Sequence, residues 1–178
     1  LNPMLKEFSY IEDINYIFSD EYSTSIKNGM YSTYGSYNSK IIDTLNIDKR
    51  FTKINSDGFR SSYIRAINPD NNIVVLESEA FAFTKLSHFD SGWFSKIKSI
   101  PFKCFRSSDL ETVIIRENIE DLRTDCFESC DKLSKIVVHP NVKDVAKNLL
   151  KRSSGVNKLI TAYCVKGSAF EKEAKLRK

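Results

Sequence analysis

The chain has 178 residues, 41% hydrophobic and 12% aromatic, with a formal net charge of +4. That length fits one domain, or one domain with an appendage, and the composition supports a packed core and excludes disorder throughout. No apolar run approaches the roughly eighteen residues of a membrane-spanning helix, and no secretory signal is visible.

Residues 1–41 stand apart as a predicted N-terminal cap or docking segment. In LNPMLKEFSYIEDINYIFSDE, Met4, Phe8, Ile11, Ile14 and Phe18 fall three or four apart, the spacing of an amphipathic helix, and Pro3 suits its first turn. Its apolar stripe would cover the open end of whatever follows. In NGMYSTYGSYNSK, Tyr31, Tyr34 and Tyr37 lie among Gly, Ser and Asn. This composition fits an adaptable contact loop, and equally a hairpin with half-buried rings.

From Ile42 onward the sequence repeats. The positions Ile42, Leu45, Ile47, Phe51 and Ile54 recur as Ile64, Ile67, Pro69, Ile73 and Leu76. They recur again as Leu110, Val113, Ile115, Ile119 and Leu122, and as Leu133, Ile136, Val138, Val142 and Val145. The unit at Leu86 fits with two extra residues near Trp93, and a further start at Leu159 gives Ala162 and Cys164 before the pattern stops. Unit lengths are 22, 22, 24, 23 and 26 residues. Four units close on a small residue and a phenylalanine: Gly58-Phe59, Ala80-Phe81, Cys104-Phe105 and Cys126-Phe127. Leu149-Leu150 closes the fifth. Three residues later come Ser62, Thr84, Ser108, Cys130 and Ser153. A period of this size marks a solenoid whose coils share one core.

The first half of each unit alternates like a strand, with Val113 and Ile115 inward and Thr112, Ile114 and Arg116 outward. The second half has the spacing of a short helix or 3-10 turn that packs Leu122, Cys126 and Phe127 inward. The predicted fold is an α/β solenoid with a parallel sheet, spanning 42–178 and ending in a basic cap. LETVIIRENIEDLRTDCFESCDKL closely resembles the unit of the BspA-like leucine-rich-repeat family, with Arg116 where that unit favours Pro and Cys126 where it favours Ala. VKGSAFEKEAK is similar to the family's usual end, a strand giving way to a Gly-Ser step and a Lys/Glu-rich helix. The resemblance implies a non-catalytic binding module of the surface or adhesion type, hence a cell-surface or secreted location.

The pair in CFESC admits a zinc or redox reading and a packing reading. Zinc wants a second thiol pair or histidines at matching spacing, and His88 and His139 fall on strands of different coils. Redox motifs usually place two residues between the thiols, where this pair has three. Cys104 and Cys126 share the small inward slot, which favours packing, and Cys164 is expected in the core as well. No metal or cofactor is therefore expected. No phosphate loop, GxSxG, HExxH or CxxC is present, and a solenoid offers a surface rather than a catalytic cleft, so an enzyme is not expected.

The predicted binding surface is the outward sheet face. Its columns run Thr44, Asn46 and Asp48; Ala66, Asn68 and Asp70; His88 and Asp90; Thr112, Ile114 and Arg116; Lys135, Val137 and His139. Ile114 and Val137 should sit side by side, and an apolar centre with polar edges suits a protein partner. A merely soluble face with β-branched residues is the other reading. Residues 143–178 carry ten Lys or Arg against three acids. This end could touch nucleic acid or anionic lipid, but the AKNLLKR and AFEKEAKLRK helices lack interleaved aromatics, which favours a solvated cap. Two alternatives remain: a structural subunit docking through residues 1–41, and a nucleic-acid binder with steeply salt-dependent affinity.

Overall fold

The computed structural model describes residues 25–26, 42–47, 49 and 51–175. The helix and tyrosine cluster predicted in residues 1–41 lie outside these, as does Asp48; of residues 1–41 only a two-residue strand is described. The strands in chain order are β1 (Ser25–Ile26), β2 (Ile42–Leu45), β3 (Lys53–Ile54), β4 (Ile64–Ile67), β5 (Val75–Leu76) and β6 (His88–Asp90). They continue with β7 (Ser99–Ile100), β8 (Thr112–Ile115), β9 (Asp121–Leu122), β10 (Lys135–Val138), β11 (Asp144–Val145) and β12 (Thr161–Cys164). A 3-10 turn, Ser91–Phe94, follows β6, and one helix, α1 (Ala169–Lys175), closes the described chain.

All pairings are parallel, and the coils stack as a solenoid with two ladders. The even-numbered strands form one face, as β2-β4 and β6-β8-β10-β12. The odd-numbered two-residue strands form the other, as β1-β3-β5 and β7-β9-β11. Both ladders break at one place, between the coil of β4 and β5 and the coil of β6 and β7. The extra residues near Trp93 form the 3-10 turn in the second of these coils, so its backbone follows the longer coil after it rather than the shorter one before.

Alternation places Val113, Ile115, Ile136 and Val138 in the core, as expected, with Leu45 and Ile67 at the same register. Leu110, Ile119, Leu122, Leu133 and Val142 are buried beside them. The phenylalanine slot becomes a spine of stacked rings. Phe59–Phe81, Phe81–Phe105 and Phe105–Phe127 centroids lie 5.2, 5.6 and 5.7 Å apart, with rings within 13° of parallel. Burial of each such ring contributes about 1.5–3 kcal/mol. The small slot after it caps the turn: Ser62, Thr84 and Ser108 hydroxyls donate to the carbonyls of Phe59, Phe81 and Phe105 at 2.7, 3.0 and 2.7 Å.

The segments that close the units are turns, not helices. Asp57, Glu79, Lys103, Asp125 and Asn148 are left-handed, as are Ser61, Phe83, Ser107 and Ser129 four residues after the first four. A left-handed residue cannot continue a right-handed helix. It turns alternate N–H groups toward the next coil instead, so Phe59, Phe81, Phe105 and Phe127 donate to Ala80, Cys104, Cys126 and Leu149 at 2.8–3.2 Å. Inward residues keep the same spacing either way, which is why the sequence reads as helical. AKNLLKR follows this turn pattern and is not a helix, whereas AFEKEAK is one, with Phe170 buried against the last coil.

Four anchor positions differ from expectation. Pro69 is exposed, because the chain turns outward directly after β4. Leu159 is 89% exposed, and Ile160 packs against the core in its stead. Ala162 is exposed and Cys164 only half-buried, since among the described residues no further coil stacks on β12.

Candidate functional site

The outward face of β6-β8-β10-β12 gathers eight of the twelve predicted residues. Strand pairing aligns His88, Thr112 and Lys135 with Thr161 in one row, and Asp90, Ile114 and Val137 with Tyr163 in the next. Arg116 and His139 follow at the strand ends. Ile114 and Val137 are half-buried neighbours, and Tyr163 is 54% exposed. A shallow groove of about 360 Å³ runs over this apolar row, bounded by Arg116, Glu117, His139, Pro140 and Val165. Lys135 Nζ lies 5.4 Å from the Tyr163 ring centroid, a cation–π contact at the edge of the row.

Arg116 is less free than its outward position implied. Its guanidinium reaches across a coil and donates to both carboxylate oxygens of Asp90, while Asp90 Oδ1 also accepts the Gly92 N–H at 2.8 Å. Burial raises the Asp90 carboxyl, but the Arg116 and Gly92 hydrogen bonds and the Arg116 charge outweigh it and hold the carboxyl below its usual range. The same bonds raise the Arg116 pKa. Gly92 makes room for this pair: a Cβ there would stand 3.0 Å from Arg116 Cδ and Nε and 3.1 Å from Asp90 Oδ1. Behind the pair, Ser91 Oγ accepts the Arg116 N–H at 2.8 Å, and Asn118 ties the inserted turn to the next coil through the carbonyls of Ser91 and Phe94.

The early candidates lie elsewhere. Asn46 and Asn68 belong to the separate β2-β4 coils and bond each other, Asn68 Nδ2 donating to Asn46 Oδ1 at 2.7 Å. Asp70 lies beyond the strand and pairs with Lys49 at 2.8 Å. These side chains tie coil to coil. Two residues that are not among the predicted site residues join the site. Tyr163 extends the Ile114–Val137 row, and Trp93 packs edge-on against His88 and Phe89, with centroids 5.0 and 5.9 Å apart. Carrying the repeat register one coil further, from Val137 to Tyr163, would have found the tyrosine.

The cysteines are structural in their surroundings. Cys104, Cys126 and Cys130 are buried and unpaired. Burial pushes the Cys104 and Cys126 thiols far up, and Cys130 up to about 11 despite the Ser108 hydrogen bonds. Such thiols are poor nucleophiles and poor ligands at neutral pH. Among the described residues, no three His, Cys, Asp or Glu side chains gather as a metal site, and no helix is long and apolar enough to cross a membrane.

Against known proteins, a family model described as BspA type leucine rich repeat region matches residues 31–157 in six copies. No curated protein matches the chain. Among solved structures, a leucine rich cell surface protein from Faecalibacterium prausnitzii A2-165 is similar in fold, with a TM-score of 0.59 and 19% identity over 76% of this chain. The chain spans 35% of that protein's length.

Proposed function

Since the chain belongs to the BspA-type leucine-rich-repeat family, we propose that it is a non-catalytic module that binds another protein through the outward face of β6-β8-β10-β12. The row Ile114–Val137–Tyr163 carries this reading. Three apolar side chains share one register on adjacent strands, with Thr112 and Lys135 on one side and Arg116 and His139 on the other. An apolar centre inside a polar rim is the pattern of a protein contact, and a rigid parallel sheet presents it with little ordering cost. His88 and Asp90 form its N-terminal margin. Asn46, Asn68 and Asp70 contribute to coil stacking, and any recognition by them is secondary. The similarity in fold to a cell surface protein supports placement at a cell surface or outside the cell.

The test is capture of protein ligands by the immobilised chain, with circular dichroism as a folding check. Ile114→Asp with Val137→Asp should abolish retention of a ligand that wild type holds, while Lys147→Asp on the turn side should not. Retention that survives the face variant refutes the sheet face as the binding surface.

A further inference from the structure

The face is one surface; the edge of its last strand is another, and it does not depend on the first. β12 bonds β10 along its whole length, and its other edge has no strand partner among the described residues. Thr161 N–H donates to Ser134 at 2.8 Å. The alternation of a parallel ladder therefore turns the N–H and C=O groups of Ala162 and Cys164 to the open side. Exposed edges are ordinarily blunted by charge, proline or a bulge. TAYC has none of these. Leu159, Tyr163 and Val165 around it are 89, 54 and 52% exposed. α1 does not cover this edge: it packs on the opposite side of the last coil, where Phe170 meets Val145, Leu149 and Leu150.

Charge decides what fits there. The strand is flanked by exposed Lys158 and Lys166, within the segment that carries ten Lys or Arg against three acids. Of those acids, Glu171 is already paired with Lys175 at 2.7 Å. Two copies meeting edge to edge would bring two such ends together, which like-charge repulsion opposes. We propose that the β12 edge accepts an extended, acid-flanked segment of a partner protein, which adds to the sheet as a further strand. Backbone bonds to Ala162 and Cys164 fix its register, and its acidic ends meet the flanking lysines.

The experiment uses the full chain and two synthetic peptides, Glu-Asp-Thr-Val-Thr-Val-Thr-Asp-Glu and the same core flanked by Lys. Binding is read by titration, and its site by hydrogen exchange at the Ala162 and Cys164 amides. The acidic peptide should bind and slow exchange at both amides, and the basic peptide should not. Ala162→Pro removes only an outward N–H, a change edge strands tolerate, and should abolish binding. Lys166→Glu should weaken binding of the acidic peptide by about threefold to tenfold. Equal binding of both peptides, or binding without protection at Ala162, overturns the proposal. So does self-association of the peptide-free chain that Ala162→Pro abolishes, because the occupant would then be a second copy. Loss of face binding in the Ile114 and Val137 variants leaves these readouts untouched, so the two surfaces fail separately.

Discussion

Asp90, Arg116 and Gly92 form a unit in which each residue depends on the others. The Asp90 carboxyl is held below its usual range in the folded chain. Its contribution to stability is thus fully present above the unfolded value of about 3.9 and is lost as pH falls through the depressed folded value. Urea unfolding of wild type and Asp90→Asn should differ by a constant amount at neutral pH, and the two should converge under acid. A difference that grows on acidification would mean that the pair has been misread. Arg116 is half exposed, so solvent screening limits the pair to about 1 kcal/mol at most. Gly92→Ala should displace the guanidinium and reproduce much of the loss in Arg116→Ala. In a double-mutant cycle the two losses should then fall short of adding. Fully additive losses would show that Gly92 does not make room for the pair.

At the scale of elements, the spine phenylalanines and the turns carry most of the information. Phe127 stacks on Phe105 and is 1% exposed, so Phe127→Ala should cost about 3–5 kcal/mol in urea unfolding. The strands were legible because a buried sheet face imposes a period of two, and Val113, Ile115, Ile136 and Val138 display it without interruption. The turns were only half legible. Leu122, Cys126 and Phe127 recur at helical spacing, but the left-handed residues between them are Asp, Glu, Lys, Asn, Ser and Phe, not glycine, so no residue type announced the backbone. The site was legible where it depended on register, as with Ile114 beside Val137. It was hidden where it depended on reach: nothing in the spacing indicates that Arg116 turns back to a carboxylate 26 residues earlier. Leu159 was misplaced because apolar character marks inward positions only while a neighbouring coil exists to bury them.

Across the whole molecule, both ladders stop between β4 and β6 and between β5 and β7, while the turn side continues unbroken. Glu79, Phe81 and Phe83 donate to Phe102, Cys104 and Arg106 across this seam, and the Phe81 ring stacks on Phe59 before it and Phe105 after it. Phe81→Ala therefore removes an aromatic tie between the two stacks of coils, whereas Phe127→Ala acts within one. Calorimetry should show two resolved transitions for the first variant and one lowered transition for the second. A single transition in both would show that the seam does not divide the molecule cooperatively. The nine left-handed residues other than glycine among the described residues carry another consequence. Each holds a backbone conformation that costs an L-residue roughly 1–2 kcal/mol, so the turns withhold stability that the fold has in reserve. Ser129 is a clean place to release it, since its N–H bond to Lys151 at 2.7 Å is backbone alone. Ser129→Gly should raise the urea midpoint by the equivalent of about 1 kcal/mol. Successive replacements along the column would yield a tougher solenoid with the sheet face and the β12 edge unchanged.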